Sequence, residues 1–163
     1  MVMEPVLAFL FLLRRQPFAV SSAPVAWLVT AGGAFGLLAA RPTTVAPVAE
    51  LGGLALAIQA VGVTGAVVSL LTLGRAFGLV AADRGIKTRG PFRVVRHPTY
   101  ACQLVMASGY LLENPSLRNV CVIAGFACCQ LLRIGQEERF LARNPTYGVY
   151  RLRVRSRLVP FVY

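Results

Sequence analysis

Long runs of apolar residues alternate with short polar stretches along this chain. Two runs, residues 18–40 and 48–73, exceed the roughly 20 residues that a helix needs to cross a bilayer, and two shorter runs cover residues 99–112 and 117–134. A further run over residues 5–13 is too short to cross alone and predicts either a helix at the membrane interface or an oblique crossing that includes residues 1–3. The pattern therefore predicts an all-α integral membrane fold with about four transmembrane helices and a short N-terminal apolar helix.

A polar junction separates the last two apolar runs and predicts a tight helical hairpin. Within it, Pro115 ends one helix, and Ser116 is suited to cap the N-terminus of the next. No helix breaker follows until Pro145, so we expect this last helix to run for about 27 residues, roughly 40 Å. A helix of that length extends beyond the hydrocarbon, and Glu137 and Glu138 fall on the projecting part.

Small residues within the apolar runs are interpreted as packing residues. Gly32 and Gly36 have the small-xxx-small spacing by which membrane helices approach closely, so they predict a helix contact. All four cysteines lie within apolar runs, and no two of them have the spacing of metal ligands. We therefore predict no metal site.

Composition agrees with a membrane protein. Of the 163 residues, 56% are hydrophobic and 14% are charged, whereas soluble domains carry about 25% charged residues. A net charge of +11 would suggest nucleic acid in a soluble chain, but here the basic residues lie in short loops and tails between apolar runs. There they set topology and contact anionic headgroups, so nucleic-acid binding is disfavoured.

The distribution of basic residues predicts an orientation. If the first two arginines are cytoplasmic, alternating crossings place Arg41 and Arg118 outside and the other fifteen of the 17 basic residues inside. Three polar clusters and the C-terminus then share the cytoplasmic side. The clusters are residues 93–100, 136–139 and 147–160.

These clusters contain the residues that can carry chemistry. The only histidine, His97, ends a basic loop, where it is either an incidental part of a membrane anchor or a titratable group that meets a charged molecule. Glu137 and Glu138 are either salt-bridge partners of nearby arginines or ligands for a cationic or hydroxyl-rich molecule. Tyr147 and Tyr150 recur at helical spacing among arginines, a pattern that by itself indicates an amphipathic helix on anionic lipid.

The C-terminal half carries an ordered series of motifs. The series is Gly90-Pro91-Phe92, Arg96-His97-Pro98-Thr99-Tyr100, Gly109, Glu137-Glu138-Arg139-Phe140-Leu141, Tyr147, Tyr150, Val154, Arg155, Arg157 and Pro160. This series resembles the isoprenylcysteine carboxyl methyltransferase family, and phospholipid N-methyltransferases are similar in the same region. The resemblance covers about residues 73–160. R-H-P-x-Y alone is a weak motif, but followed in order by E-E-x-x-L and Y-x-x-Y it is specific.

The resemblance implies a small helical membrane enzyme with one membrane domain over residues 1–163. Residues 1–73 would form N-terminal membrane helices, and residues 74–163 would bind S-adenosylmethionine in a cytoplasmic pocket and receive a lipophilic or prenylated substrate from the membrane lipids. The implied cofactor contacts are Arg96, His97, Pro98, Tyr100, Glu137, Glu138, Tyr147 and Tyr150. The implied catalytic residues are Arg155, Arg157 and Glu138.

The implied reaction is methyl transfer, by default onto the carboxylate of an isoprenylcysteine or of a similar isoprenoid or lipid. A carboxylate acceptor needs no activation, so Arg155 or Arg157 would hold it in line with the methyl group. An amine or phenol acceptor would need a base, which Glu138 or His97 would provide. The sequence motifs do not distinguish between these acceptors.

Two other interpretations remain. Membrane steroid and sterol reductases share an R-H-P-x-Y element and an acidic, tyrosine-rich tail, although they usually have Asn where this chain has Thr99. A non-catalytic membrane scaffold with a lipid-binding basic face is the third interpretation. Cofactor binding separates the three, because a methyltransferase binds S-adenosylhomocysteine, a reductase binds a nicotinamide nucleotide and a scaffold binds neither.

Overall fold

The chain is mostly helical in the residues that the computed structural model describes, which are 24–43, 49–76 and 86–161. Five α-helices are α1 (Pro24–Phe35), α2 (Ala49–Leu73), α3 (Pro98–Glu113), α4 (Leu117–Leu141) and α5 (Pro145–Arg153). Short 3-10 helices cover Gly36–Ala39, Gly74–Ala76 and Gly90–Arg93. These ranges contain no strand, so the all-α prediction is confirmed for them, while the predicted helix over residues 5–13 lies outside them.

Two helices, not four, are long and apolar enough to cross a membrane within the described ranges. They are Leu51–Leu73 and Leu117–Leu141. The apolar helix Pro24–Ala39 is shorter, and residues 18–23 of the predicted span lie outside the description. Helix α3 has 16 residues, or about 24 Å, because prolines at 98 and 115 bound it. The prediction of about four transmembrane helices is therefore corrected to two candidate spans within the described ranges.

The α3–α4 hairpin forms as the sequence predicts. The Ser116 hydroxyl accepts a hydrogen bond from the Asn119 amide at 3.1 Å and so caps α4. The fully buried Asn119 side chain donates to the Asn114 carbonyl at 2.8 Å and closes the turn. Helix α4 has 25 residues rather than about 27, because the chain turns before Asn144, whose side chain caps α5.

Glycines allow α2 and α3 to pack backbone against backbone. A Cβ atom added at Gly62 would lie 2.5 Å from the Met106 nitrogen, and one at Gly109 would lie 2.8 Å from the Ala55 oxygen. Such distances leave no room for any side chain, so the two helices touch along their main chains. The order of the contacts makes α2 and α3 antiparallel.

Helix α1 packs antiparallel on α4 through a second set of glycines. A Cβ atom at Gly32 would lie 2.8 Å from the Cys129 sulfur, and one at Gly33 would lie 2.7 Å from Cδ of Arg133. Gly36 faces Phe126 at van der Waals distance. The helix contact predicted from the glycine spacing is therefore confirmed.

The two antiparallel pairs bring selected helix ends together. The N-terminus of α3 and the C-termini of α2 and α4 lie at one end of the helices, where α5 and the following segment also pack. At the opposite end, Asn119 accepts a hydrogen bond from the Arg41 amide at 3.1 Å, and Gln59 of α2 donates to Glu113 at 2.7 Å. The candidate site lies at the first of these ends.

Candidate functional site

The loop before α3 has a shape that its glycine and prolines determine. Gly90 has φ +57°, a conformation that side chains disfavour, and starts a 3-10 helix that buries Phe92. Pro98 occupies the first turn of α3, where its missing amide proton costs nothing, so His97 stays outside the helix as the N-cap residue. The backbone amide of His97 is thereby available to another segment.

That other segment is the chain that follows α5. The Arg96 amide donates to the Ser156 carbonyl at 2.9 Å, and the His97 amide donates to the Arg157 carbonyl at 3.0 Å. The buried Tyr150 hydroxyl of α5 also donates to the Phe92 carbonyl, at 2.7 Å. Main-chain bonds therefore hold residues 154–157 against the loop.

A buried ion cluster lies next to these main-chain hydrogen bonds. Glu138 accepts a hydrogen bond from Nε of Arg96 at 2.8 Å and another from Nε of Arg157 at 3.0 Å, one on each carboxylate oxygen. Nε2 of His97 lies 3.4 Å from the Glu138 oxygen that Arg96 contacts. Nη1 of Arg96 donates to the carbonyls of Val154 and Arg155 at 2.8 and 2.6 Å. One carboxylate on α4 thus binds both the loop before α3 and the segment after α5.

Glu137 has different partners from its neighbour, because adjacent residues of a helix point in different directions. The Tyr100 hydroxyl donates to Oε1 of Glu137, and Nδ1 of His97 lies 3.8 Å from Oε2. The His97 and Tyr100 rings stack with centroids 5.8 Å apart. The Glu137 side chain is 21% exposed against 8% for Glu138, so Glu137 is the carboxylate that an incoming molecule can reach.

Two tyrosines of α5, Tyr147 and Tyr150, lie close to the charged groups of the ion cluster. Burial raises the pKa of Tyr150 to about 12, although the Arg96 charge lowers it. Burial, and after it the charge of Glu138, raises the pKa of Tyr147 well above its ordinary value. Both phenols are therefore neutral at physiological pH. The buried Tyr147 hydroxyl faces the Glu138 charge but forms no hydrogen bond of standard length and angle with the described residues, so it has capacity to bind another group.

The structure brings most of the predicted site residues together. One group shares the ion cluster or its immediate neighbourhood: Arg96, His97, Tyr100, Glu137, Glu138, Tyr147 and Arg157. Pro98 is buried and starts α3, while Tyr150 binds the loop carbonyl rather than a cluster side chain. Arg155 contributes its carbonyl, but its side chain is exposed.

Three polar residues that adjoin the site were not predicted as site residues. The buried Arg133 guanidinium lies 5.0 Å above the Tyr100 ring and donates to Gln130 at 3.3 Å. Gln130 in turn donates to Gln103 of α3 at 2.6 Å. Gln130, Arg133 and Glu137 have i, i+3, i+7 spacing, so this polar stripe within an apolar run was the available signal. It extends the site along the α3–α4 contact.

A family model described as phospholipid methyltransferase matches residues 47–148, which is more than half of the chain. This chain belongs to the phospholipid methyltransferase family. Membership confirms the resemblance found in the motifs, because this is the family of membrane methyltransferases similar to the isoprenylcysteine enzymes. It does not favour the reductase interpretation. None of the curated proteins matches the sequence.

The match to the phospholipid methyltransferase family differs in extent from the motif resemblance. The family match begins before α2 and ends within α5. The motif resemblance, in contrast, leaves out nearly all of α2. The loop before α3, the Glu137–Glu138 pair and Tyr147 lie inside the match, whereas Arg155 and Arg157 lie beyond it. The family therefore covers the centre of the ion cluster but not its last arginine.

Proposed function

We propose that this chain is an integral membrane methyltransferase that uses S-adenosylmethionine to methylate a lipophilic acceptor. The observation that carries the proposal is the buried cluster of Arg96, His97, Glu138 and Arg157 at one end of apolar helices. Family membership supplies the reaction class. The cluster supplies a place where a water-soluble cofactor and a membrane-dissolved acceptor can meet.

The donor set of the cluster fits this cofactor. S-adenosylmethionine presents a carboxylate, an ammonium group, ribose hydroxyls and a positively charged sulfonium. His97, which lies beside Glu137, can donate to the carboxylate, the partly exposed Glu137 matches the ammonium or the hydroxyls, and the spare hydrogen-bonding capacity of Tyr147 suits a polar group. When bound, the sulfonium supplies an already activated methyl group, so the protein need only orient and desolvate the reactants.

Glu137 and Glu138 have different roles in this proposal. Both oxygens of Glu138 already accept hydrogen bonds from arginines, so this carboxylate positions Arg96 and Arg157 rather than contacting the reacting atoms. Glu137 keeps one oxygen without a short hydrogen bond among the described residues and is more exposed. We assign Glu137 to the cofactor and Glu138 to positioning, with His97 bridging the two.

A carboxylate acceptor, such as that of an isoprenylcysteine or a similar isoprenoid or lipid, fits these groups best. An amine or phenol acceptor must lose a proton to a base, and both oxygens of Glu138 are already occupied by hydrogen bonds from arginines. The arginines instead favour an anion. Arg157 is preferred over Arg155 for this contact, since the Arg155 side chain points into solvent.

A phospholipid amine headgroup is the second candidate acceptor, because the matching family is described by phospholipid methylation. Methyl-labelled S-adenosylmethionine incubated with membranes that contain the protein distinguishes the two. A carboxylate acceptor gives a lipid-soluble product that releases the label as methanol in mild base, whereas an amine gives a base-stable product. Absence of any labelled lipid-soluble product, compared with membranes lacking the protein, would contradict the proposal.

The proposal includes a multi-pass topology with the site and the C-terminus in the cytoplasm. The alternation of antiparallel helices and the excess of basic residues at the site end support it. In a variant whose four cysteines are replaced, Arg89→Cys and Arg118→Cys, introduced singly at exposed positions, should react with a membrane-impermeant thiol reagent from opposite sides. Labelling of both from the same side would overturn this topology.

A further inference from the structure

Helix α5 and the chain that follows it have an outer face that nothing in the described structure covers. Tyr147 and Tyr150 point inward, whereas Val149 and Leu152 are 53% and 77% exposed. Val159 is half exposed, and Phe161 is wholly exposed in a turn with φ +66°. The face therefore presents a stripe of apolar side chains on a segment that lies at the end of the membrane helices.

The apolar stripe lies among exposed basic side chains. At this end of the helices they are Lys87, Arg89, Arg93, Arg139, Arg143, Arg151, Arg153 and Arg155. The described acidic residues at the same end are Glu137 and Glu138, and both are engaged inside the cluster. The surface is thus strongly positive, with apolar groups between the charges.

We propose that this face docks on an anionic lipid surface and that docking stabilises the cofactor site. Apolar side chains flanked by arginines are the pattern of an interfacial helix, in which the apolar groups enter the bilayer and the guanidinium groups contact lipid phosphates. The charge complementarity selects anionic lipid as the partner. The link to cofactor binding rests on the proposed function, whereas docking itself does not.

The link follows from chain connectivity. Residues 154–157 directly follow α5 and supply the carbonyls that bind Arg96 and His97, together with the Arg157 side chain that binds Glu138. A shift of α5 away from the loop would separate these groups. Lipid contacts that hold α5 at the membrane surface therefore favour the assembled cluster, and with it the conformation that binds cofactor.

Docking is tested with a tryptophan reporter in lipid nanodiscs. The double variant Trp27→Phe, Leu152→Trp places the only tryptophan on the outer face of α5, and brominated lipids quench it on insertion. We expect stronger quenching in discs of phosphatidylcholine with phosphatidylglycerol than in discs of phosphatidylcholine alone. Adding Arg151→Gln and Arg153→Gln should weaken the quenching, while Arg151→Lys and Arg153→Lys, which keep the charge, should preserve it.

The link is tested by the affinity for S-adenosylhomocysteine in the same two kinds of disc. We expect binding about three- to tenfold weaker in phosphatidylcholine alone, because a smaller fraction of the protein is competent to bind. High salt should remove the difference by screening the arginines. The Arg151→Gln, Arg153→Gln variant should bind equally weakly in both lipids, and the lysine variant should behave like the parent protein.

The possible outcomes distinguish docking on anionic lipid from the link between docking and cofactor binding. Absent quenching overturns docking and indicates that another protein segment covers the face. Quenching that is independent of lipid charge overturns the selection of anionic lipid. Charge-dependent quenching with equal cofactor affinity in both lipids supports docking and overturns the link. If no cofactor binds in any lipid, the proposed function and the link fail together, and quenching still decides whether docking occurs.

Discussion

At the scale of single residues, Glu138 determines whether the cluster can exist. It is buried and pairs with two arginines, one on α3's loop and one on the segment after α5. Removing one member of a buried ion pair is costly, because the remaining charges stay desolvated without compensation. We therefore expect this side chain to affect both stability and the proposed cofactor binding, although it is not assigned to contact the reacting atoms.

We expect Glu138→Gln to lower the affinity for S-adenosylhomocysteine by at least about tenfold and the free energy of unfolding by about 3 kcal/mol. Calorimetry and thermal denaturation in detergent measure the two effects. Glu113→Gln is the matched control, because Glu113 bonds only to Gln59 among the described residues and lies at the opposite end. Normal affinity in Glu138→Gln would contradict the assigned position of this residue.

Tyr150 anchors α5 to the loop, and its loss leaves a buried carbonyl without its donor. We expect Tyr150→Phe to destabilise the protein by about 1–3 kcal/mol. In the parent protein, stability should fall as pH rises from 10 towards 12, because the unfolded tyrosine ionises first and the folded one resists ionisation. Denaturation across this pH range should show a smaller fall in Tyr150→Phe. An equal fall would exclude Tyr150 as a contributor.

At the scale of helices, the close approach of α2 and α3 depends on glycine. Gly109→Ala would place a methyl group 2.8 Å from the Ala55 oxygen, and we expect a loss of about 1–3 kcal/mol. Gly125 of α4 has open space around it, so Gly125→Ala should be neutral or stabilising by up to about 1 kcal/mol. Melting temperatures of the two variants in one detergent test the difference, and equal effects would refute the packing argument.

The sequence was sufficient to predict the helices because their signals are local. Apolar runs placed α2, α3 and α4 within a few residues of their observed positions, and the hydroxyl of Ser116 identified the start of α4. The lengths were less predictable. Where α4 ends depends on how α5 folds back on it, which is a tertiary contact and leaves no periodic signal in the sequence.

The site was predicted in part, because some of its residues also have a local signal in the sequence. Motif residues such as His97 and Glu138 are recognisable by type and spacing, and the structure brings them together. The carbonyls of Val154 and Arg155, which bind Arg96, cannot be read from residue types because every residue has a carbonyl. Arg133 was missed because a single charge within an apolar run also fits a helix end.

At the scale of the whole molecule, the segment after α5 completes the site. Deletion of residues 154–163 should leave the helix content unchanged in neutral detergent but lower the affinity for S-adenosylhomocysteine by about a hundredfold or more, because the Arg96 and Glu138 contacts are lost. Circular dichroism and calorimetry measure the two quantities. Deletion of residues 158–163 alone retains those contacts and should bind nearly as the parent does; comparable loss in both would contradict the assignment.

The pairing of helices is nested: α2 contacts its sequence neighbour α3, whereas α1 contacts the distant α4. This nesting determines the order in which the two helix pairs can form while the chain is being synthesised. The inner pair can associate as soon as the ribosome has released it, but α1 must wait until α4 is made before Gly33 meets Arg133. Substitutions on the glycine face of α1 should therefore act during biogenesis and lower the yield of assembled protein. The molecules that do assemble should keep the catalytic rate of the parent protein.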